Sequence, residues 1–197
     1  MEFQNGNKQI IKLEDGAELI YIKNFINQTD SLKIFDELKN KVPWVHGVYN
    51  MFGKPVKTPR VLYAMRNKDV DITKSYKVTD SMEWLPSIES IKQEIIKVTN
   101  KQISYAQLNY YRNGDEYIGP HTDSEVKDGD IIASISLGAT RKFVLNKIDD
   151  KTNKYTMDLE NGSLLIMNEN AAKKHYKHAL PKMKNAGPRI NITFRPR

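Results

Sequence analysis

Hydrophobic residues recur at helical spacing in two segments of the chain, and this pattern predicts two amphipathic helices. The first covers residues 29–42, with Thr29 or Asp30 as its N-cap and Pro43 just after its end. The second covers about residues 86–100 and begins at a proline, which is favoured in a first helical turn. The side chains expected to face inward are Leu32, Phe35, Leu38, Val42, Ile88, Ile91, Ile95 and Val98.

Short runs of strand-forming residues dominate the chain after residue 102, and one more strand is expected at Glu18–Ile22. Asn161-Gly162 predicts a tight turn between two of the runs. Residues 44–85 are aromatic, basic and turn-rich, which favours hairpins and exposed loops. We therefore expect an α+β chain, mainly β, with its helices packed on an antiparallel double-sheet jelly roll. The runs are residues 103–112, 130–137, 141–146, 154–159, 163–168 and 189–195.

Length and composition exclude several classes of protein. A chain of 197 residues favours one domain with one core. No apolar run approaches the roughly 20 residues needed to span a bilayer. The first residues also lack the basic-then-apolar order of a secretory signal. Without cysteines, disulfide scaffolds, thiolate zinc sites and cysteine nucleophiles are excluded. These features favour an intracellular protein with no membrane partner.

The charge balance points modestly to a polyanionic partner. Thirty-one basic and 24 acidic residues give a formal net charge of +7. Lysine and arginine release counterions when they neutralise phosphates, so a basic chain favours nucleic acid. The alternative is a composition rich in Lys, Asn and Ile, which AT-rich genomes produce without selection for binding.

His121-Thr122-Asp123 is the first candidate for metal chemistry. In an extended segment, residues i and i+2 point to the same face, so the imidazole and carboxylate can converge on one ion. Two histidines and one carboxylate leave three open positions, as in non-haem Fe(II) oxygenases. By itself the motif also fits a surface histidine beside a solvated aspartate. The later histidines are His175 and His178, and spacing does not choose between them as the third ligand.

Two strands with one polar face each suggest a ligand cavity. Residues 189–195 place Arg189, Asn191, Thr193 and Arg195 on one face, and paired arginines suit a dicarboxylate. An edge strand with one solvated face would show the same alternation. Residues 107–111 have the same design, with Gln107, Asn109 and Tyr111 on one face. Polar groups on an inner face are costly unless something polar binds there.

These residues together resemble the AlkB family of oxidative nucleic-acid demethylases, and the ordered match runs over most of residues 59–197. The chain resembles in particular the homologues that act on duplex DNA, which carry a Phe-Gly-Lys finger like Phe52-Gly53-Lys54, followed by Pro59-Arg60. The matching stretches are Asn109-x-Tyr111, His121-x-Asp123, Ile132-Ala-Ser-Ile-Ser-Leu-Gly138, Gly162-Ser-Leu-Leu-Ile-Met-Asn168, His178-Ala-Leu-Pro181 and Pro188-Arg-Ile-Asn-Ile-Thr-Phe-Arg195.

The resemblance implies the catalytic groups. It makes His121, Asp123 and His178 the iron ligands, choosing His178 because Leu180-Pro181 follows it. It implies 2-oxoglutarate as cosubstrate, with Arg189 deeper toward it and Arg195 pairing with, or supporting, its far carboxylate. The implied 2-oxoglutarate contacts are Asn109, Tyr111, Arg189, Thr193 and Arg195, with Asn191 on the same face as a weaker candidate.

On the substrate side, the resemblance implies a wedge at Phe52 that fills the gap left by a flipped base. Tyr76 would stack on that base, although a buried core aromatic is an equal alternative. Ser124 stands where duplex-acting relatives have an aspartate, so it bears on base preference. The implied substrate contacts are Phe52, Gly53, Lys54, Arg60, Tyr63, Tyr76, Ser124 and Glu125.

The implied activity is DNA repair by a monomer. Fe(II), 2-oxoglutarate and O₂ would hydroxylate the N-methyl group of 1-methyladenine or 3-methylcytosine, releasing formaldehyde and succinate. One domain would comprise an N-terminal strand and helix (1–45), nucleotide-recognition hairpins (46–85) and a catalytic core (86–197). The alternatives are the same chemistry on RNA or single strands, an oxygenase of a protein or small molecule, and a non-catalytic nucleic-acid-binding module.

Overall fold

The computed structural model describes residues 1–4, 6, 8–51, 53–70 and 81–196. Two predicted substrate contacts, Phe52 and Tyr76, lie outside the described residues. The helices are α1 (Gln28–Lys41) and α2 (Pro86–Thr99), with a 3-10 turn at Glu14–Gly16 and a π-helical turn at Asn170–Lys174. The strands are β1 (Lys8–Lys12), β2 (Glu18–Ile22), β3 (Val45–Met51), β4 (Lys54–Arg66), β5 (Tyr105–Tyr111), β6 (Ile118–His121), β7 (Ile131–Gly138), β8 (Arg141–Lys147), β9 (Lys154–Leu159), β10 (Leu164–Asn168), β11 (Tyr176–Leu180) and β12 (Arg189–Arg195).

Two antiparallel sheets form the predicted jelly roll. The larger sheet has eight strands in the order β1-β2-β10-β7-β12-β5-β4-β3, and the smaller has four in the order β6-β11-β8-β9. The helices pack on the outer face of the larger sheet, where their apolar residues join those of β5, β7 and β12 in one core. The mainly β jelly-roll prediction is therefore confirmed, while the division into 1–45, 46–85 and 86–197 stays a prediction.

The first helix differs in detail from its prediction. Asn27 is the N-cap, and its side chain accepts a hydrogen bond from the Asp30 backbone N–H at 2.8 Å. Leu32 is 47% exposed and so does not face inward as predicted. The reason is tertiary, because Ser31 is buried and its hydroxyl contacts the Asn161 amide at 2.7 Å. That contact turns Ser31 and Ile34 inward and leaves Leu32 in solvent.

The second helix follows its prediction closely. It begins at Pro86 and ends at Thr99, and Asn100 adopts a left-handed conformation at φ 52° as the C-cap. Ile88, Ile91 and Ile95 are fully buried, and Val98 is partly buried against the same core.

Residues 44–70 form more regular structure than their turn-rich sequence predicts. β3 and β4 form the expected hairpin, but β4 also pairs with β5, and most of its second half is buried. The predicted exposed loops are therefore wrong for this half of β4. Pro59 favours a turn in the sequence, but it lies in a β-bulge opposite Gly47, between the pairs His46–Val61 and Val48–Lys57. A bulge does not require the backbone donor that proline lacks.

Two connections also depend on the sheet arrangement. The predicted turn at Asn161-Gly162 is present, with Gly162 at φ 74°, but it joins β9 of the small sheet to β10 of the large sheet. The Arg189–Arg195 strand is central, between β7 and β5, so the edge-strand alternative is wrong. No helix in the described part of the chain is both long enough and apolar enough to cross a membrane.

Candidate metal centre and cosubstrate cavity

Strand pairing in the small sheet assembles the metal site. β6 ends at His121, and Asp123 follows it, while β11 carries His178 directly opposite His121 in the register. His178 Nε2 lies 3.2 Å from Asp123 Oδ2, and the two imidazole ring centroids are 4.3 Å apart. One ligand atom from each of the three residues lies within 4.8 Å of the others. His175 instead has 40% of its side chain exposed and lies beside Asp15, with Nδ1 and Oδ2 4.0 Å apart.

A backbone contact orients His121 for metal binding. Its Nδ1 lies 2.9 Å from the Gly119 carbonyl oxygen. A carbonyl oxygen can only accept a hydrogen bond, so Nδ1 carries the hydrogen and donates it, and Nε2 is left free for a ligand bond. This arrangement is typical of metal-binding histidines, whose second nitrogen is hydrogen-bonded to the protein.

The protonation states also suit a divalent metal. Burial, together with the nearby His178, lowers the pKa of His121 to about 4, so its imidazole is neutral at pH 7. Burial alone would raise the pKa of Asp123, but Arg195 and the contact with His178 hold it below its ordinary value. Two imidazoles and one carboxylate match the donor set that non-haem Fe(II) oxygenases use.

The three candidate ligands line a cavity of about 600 Å³. Its other wall is the inner face of the large sheet, where β12 pairs in register with β5: Asn191 lies opposite Asn109 and Thr193 opposite Gln107. The predicted polar faces of these two strands are therefore joined into one surface. The volume is within the range of ordinary ligand pockets.

The third strand of this wall was not predicted to contribute. Ser134 and Ser136 on β7 lie opposite Thr193 and Asn191. The Asn191 amide donates to the Ser134 hydroxyl at 2.7 Å and to the Ile135 carbonyl at 2.9 Å. The alternation of serines in Ile132–Gly138 was the available signal for this face.

Arg189 is the most unusual group in the cavity. It is 1% exposed, its Nη2 donates to the Ser136 hydroxyl at 2.9 Å, and its Nε makes no hydrogen bond to the described residues. Burial lowers its pKa to about 10, which still leaves it charged at pH 7. Within the described part of the chain no carboxylate forms an ion pair with it. A buried cation without a counter-ion is costly, so this position fits an anionic ligand.

Arg195 lies at the opposite, metal end of the cavity. Its Nη2 donates to Asp123 Oδ1 at 3.1 Å, and its Nη1 forms an ion pair with Glu125. Both carboxylates already engage this guanidinium. The geometry therefore favours a supporting role for Arg195 over direct pairing with the far carboxylate of a cosubstrate.

The chain matches the 2OG-Fe(II) oxygenase superfamily over residues 18–195. It belongs to this superfamily. The DNA oxidative demethylase ALKBH2 of Mus musculus is 31% identical, over 83% of this chain and 73% of the relative. The human protein of the same name is 30% identical, over 92% of this chain and 74% of the relative. The solved structure of OsALKBH1 shares the fold, with a TM-score of 0.69, 18% identity and coverage of 96% of this chain and 100% of that chain.

Membership of the 2OG-Fe(II) oxygenases makes this protein a dioxygenase that uses Fe(II) and 2-oxoglutarate, as predicted. The expected resemblance to the AlkB family is confirmed by the ALKBH2 relatives. The His121, Asp123 and His178 cluster supplies the donor set that this cofactor requires.

Two of the predicted substrate contacts of this oxygenase lie on opposite faces of the large sheet. Arg60 is buried, and its Nε donates to the Asn109 side-chain oxygen at 2.7 Å, so it faces the cavity. Tyr63 lies opposite Leu108 on β5 and packs in the hydrophobic core on the other face of the sheet. The prediction that Tyr63 lines the pocket is therefore wrong. Because side chains alternate along a strand, Arg60 and Leu62 face the cavity whereas Tyr63 faces the core.

The remaining predicted contacts lie at the rim. Gly53 is exposed at the β3–β4 turn with φ 77°, and Lys54 beside it is exposed. Ser124 is exposed at the cavity edge, and Glu125 is partly buried against Arg195. Tyr49 and Tyr117 also line the cavity, and neither was predicted as a site residue from the sequence.

Proposed function

We propose that this dioxygenase repairs DNA by oxidative demethylation of N-alkylated bases, of the 1-methyladenine and 3-methylcytosine type, with duplex DNA as its substrate. Formaldehyde and succinate are the products. Its ALKBH2 relatives, named as DNA oxidative demethylases, span most of the chain. A DNA substrate places the enzyme inside the cell, where we expect it to act as a monomer.

The observation that carries the proposal is the continuity of the cavity. Its lining includes the three metal ligands and also Tyr49 and Thr58 on the β3–β4 hairpin. At the surface it includes Tyr117, which is 38% exposed. A volume of about 600 Å³ is large enough for a small dicarboxylate and a flipped base together.

The positive charge of Arg189 identifies the half of the cavity that would bind 2-oxoglutarate. Arg189 would bind the far carboxylate of 2-oxoglutarate through paired, charge-assisted hydrogen bonds. Tyr111 lies beside it, with its ring centroid 5.5 Å from the guanidinium carbon. Asn109 would orient the cosubstrate, since its side-chain oxygen is held by Arg60 at 2.7 Å. The amide of Asn191 and the hydroxyl of Thr193 are engaged within the sheet, so they would shape the wall.

The substrate half is assigned by exposure and charge. The tip of the β3–β4 hairpin is exposed at Gly53 and Lys54, and Lys57 on the same hairpin is exposed too. Lysines at such a tip would contact phosphates, and the adjacent Phe52 would replace the flipped base. Ser124 and Glu125 would then meet the base edge beside the metal.

In the reaction, bound Fe(II) and 2-oxoglutarate with O₂ would hydroxylate the N-methyl carbon, yielding succinate and CO₂, and the hydroxymethyl adduct would release formaldehyde. The protein supplies positioning and charge. Arg195 would keep Asp123 ionised, and the Gly119 carbonyl would hold His121 in the tautomer that binds metal. The buried walls around His178 and Phe143, whose ring centroids are 5.8 Å apart, would exclude water.

The direct test is mass spectrometry of oligonucleotides with a single 1-methyladenine or 3-methylcytosine. The enzyme is loaded anaerobically with Fe(II) and 2-oxoglutarate, and oxygen is then admitted. We expect loss of the methyl mass with equimolar succinate and faster repair of duplex than of single strands. Succinate formation stimulated by a protein or small molecule, with methylated DNA inert, would overturn the proposal. Faster repair of RNA or single strands would overturn the duplex assignment alone.

Replacing Phe52 with alanine tests the duplex assignment separately. A side chain that fills the gap left by a flipped base matters mainly in a duplex. We expect kcat/KM to fall about tenfold on duplex DNA, equal to about 1.4 kcal/mol, and to change little on single strands. Val48→Ala is the matched control, because Val48 is 52% exposed on the same hairpin but away from its tip. Equal losses on the two substrates would count against a base-replacing role.

A further inference from the structure

Arg141 is a second fully buried arginine, and the proposed function does not use it. It is 0% exposed at the start of β8, on the inward-facing side of the strand together with Phe143 and Leu145. Its charge has no carboxylate bonded to it among the described residues. Three backbone carbonyls accept from it instead, those of Asn113 at 3.3 Å, Glu116 at 2.9 Å and Pro181 at 2.7 Å.

These three carbonyls belong to two different segments of the cavity rim. Asn113 and Glu116 lie in the loop after β5, which carries the cavity-lining Tyr117. Pro181 follows β11, the strand that carries His178. The two segments also contact each other directly, because the Met183 N–H donates to the Gly114 carbonyl at 2.9 Å. A Cβ at Gly114 would collide with the Met183 carbonyl, so the segments are packed without space between them.

Arg141 also lies beside the proposed cosubstrate contacts. Its guanidinium carbon is 5.7 Å from the centroid of the Tyr111 ring, and that of Arg189 is 5.5 Å from the same ring. Arg60 is a third cation near this ring, at 5.9 Å. Tyr111 is therefore held among three guanidinium groups. Positive charge gathered in a buried space favours an anion beyond the contribution of any one arginine.

We propose that Arg141 is a positioning residue for 2-oxoglutarate. It fixes Tyr111 beside Arg189, joins the two rim segments, and so determines the affinity for the far carboxylate without touching it. This inference rests on the proposed assignment of Tyr111 and Arg189 to that carboxylate. Lysine would not replace Arg141 fully, because one ammonium lacks the planar fork that reaches two segments and stacks on a ring.

The test compares two ligands by calorimetry with the Fe(II)-loaded enzyme under nitrogen, where no turnover occurs. 2-Oxoglutarate binds the metal and presents a far carboxylate, whereas oxalate binds the metal without one. For Arg141→Met we expect the Kd of 2-oxoglutarate to rise about tenfold, equal to about 1.4 kcal/mol. The Kd of oxalate should change less than about twofold. In Arg141→Lys the Kd of 2-oxoglutarate should also rise relative to that of oxalate, but by a smaller factor than in Arg141→Met.

Lys142→Met is the matched control, since Lys142 is the next residue on β8 and its side chain is 55% exposed. It removes the same charge from the outer face and should leave both affinities unchanged. Equal weakening of both ligands in Arg141→Met, or no weakening of 2-oxoglutarate, would overturn the inference. If Arg141→Met does not fold, Arg141→Lys is judged by the same ratio of the two affinities.

A second reference variant, Arg189→Met, tests separately whether Arg189 binds the far carboxylate of 2-oxoglutarate. Arg189→Met should lose 2-oxoglutarate affinity and keep oxalate affinity. If it does so while Arg141→Met does not, only the inference about Arg141 is wrong. If Arg189→Met keeps its 2-oxoglutarate affinity, the cosubstrate assignment itself is wrong, and the role of Arg141 falls with it.

Discussion

Replacing His178 with alanine is expected to abolish succinate formation and to weaken Fe(II) binding by more than about 100-fold. Loss of a group that only supports a metal ligand weakens binding by up to about 100-fold, and loss of the ligand itself should weaken it more. His178 lies opposite His121 across two paired strands, and its Nε2 is 3.2 Å from Asp123 Oδ2. Its loss would leave one histidine and one carboxylate, which do not complete the donor set. Metal content after dialysis and succinate formation measure the two effects.

His175→Ala provides a matched control for this change. His175 is close in sequence, but its side chain is 40% exposed and lies beside Asp15 outside the cavity. It should retain metal and turnover near the wild-type level. His121→Ala should also abolish demethylation while leaving DNA affinity largely intact. A His178→Ala enzyme with normal metal content and activity would refute the assignment. DNA binding by the wild type without any iron-dependent turnover would favour a non-catalytic module.

Replacing Arg189 with methionine should have the second largest effect, on the affinity for 2-oxoglutarate. Arg189 is 1% exposed and has only the Ser136 hydroxyl as a described hydrogen-bond partner. Removing one member of a buried, hydrogen-bonded charge pair typically costs about 2–5 kcal/mol. We therefore expect KM for 2-oxoglutarate to rise by roughly 100-fold, about 2.7 kcal/mol. The KM of Arg189→Lys for 2-oxoglutarate should lie between those of the wild type and Arg189→Met, because lysine keeps the charge but loses the paired geometry.

Thermal unfolding gives an independent readout of the same change. A ligand that binds only the folded state raises the free energy of unfolding by RT ln(1 + [L]/Kd). Wild-type Tm should therefore rise with 2-oxoglutarate, and Arg189→Met should lose that rise. Without ligand, Arg189→Met should be no less stable than wild type, since it removes a buried cation that forms no ion pair with any described carboxylate. Lys142→Met, on the exposed face of β8, should keep the full ligand-dependent rise.

Local patterns predicted much of this fold because they depend on properties of single elements. The alternation in Arg189–Arg195 gave the correct face of β12, and the apolar spacing after Pro86 gave the correct face of α2. Predictions failed where contacts between distant segments decided the outcome. Leu32 is exposed because the Asn161 turn holds Ser31, and Tyr63 is in the core because β4 pairs with β5 in one particular register.

The sequence by itself determined the chemistry available to the protein: the types of metal donor, the polar faces of two strands, and the ordered motifs of the AlkB family. Only the tertiary structure decided how these groups meet. Pairing of β6 with β11 brings His178 to His121 and leaves His175 outside. Two equally buried arginines also differ in partners, because Arg141 meets three carbonyls whereas Arg189 meets one hydroxyl and the cavity. The physical reason is that strand register joins residues far apart in the chain, and local periodicity carries no information about that pairing.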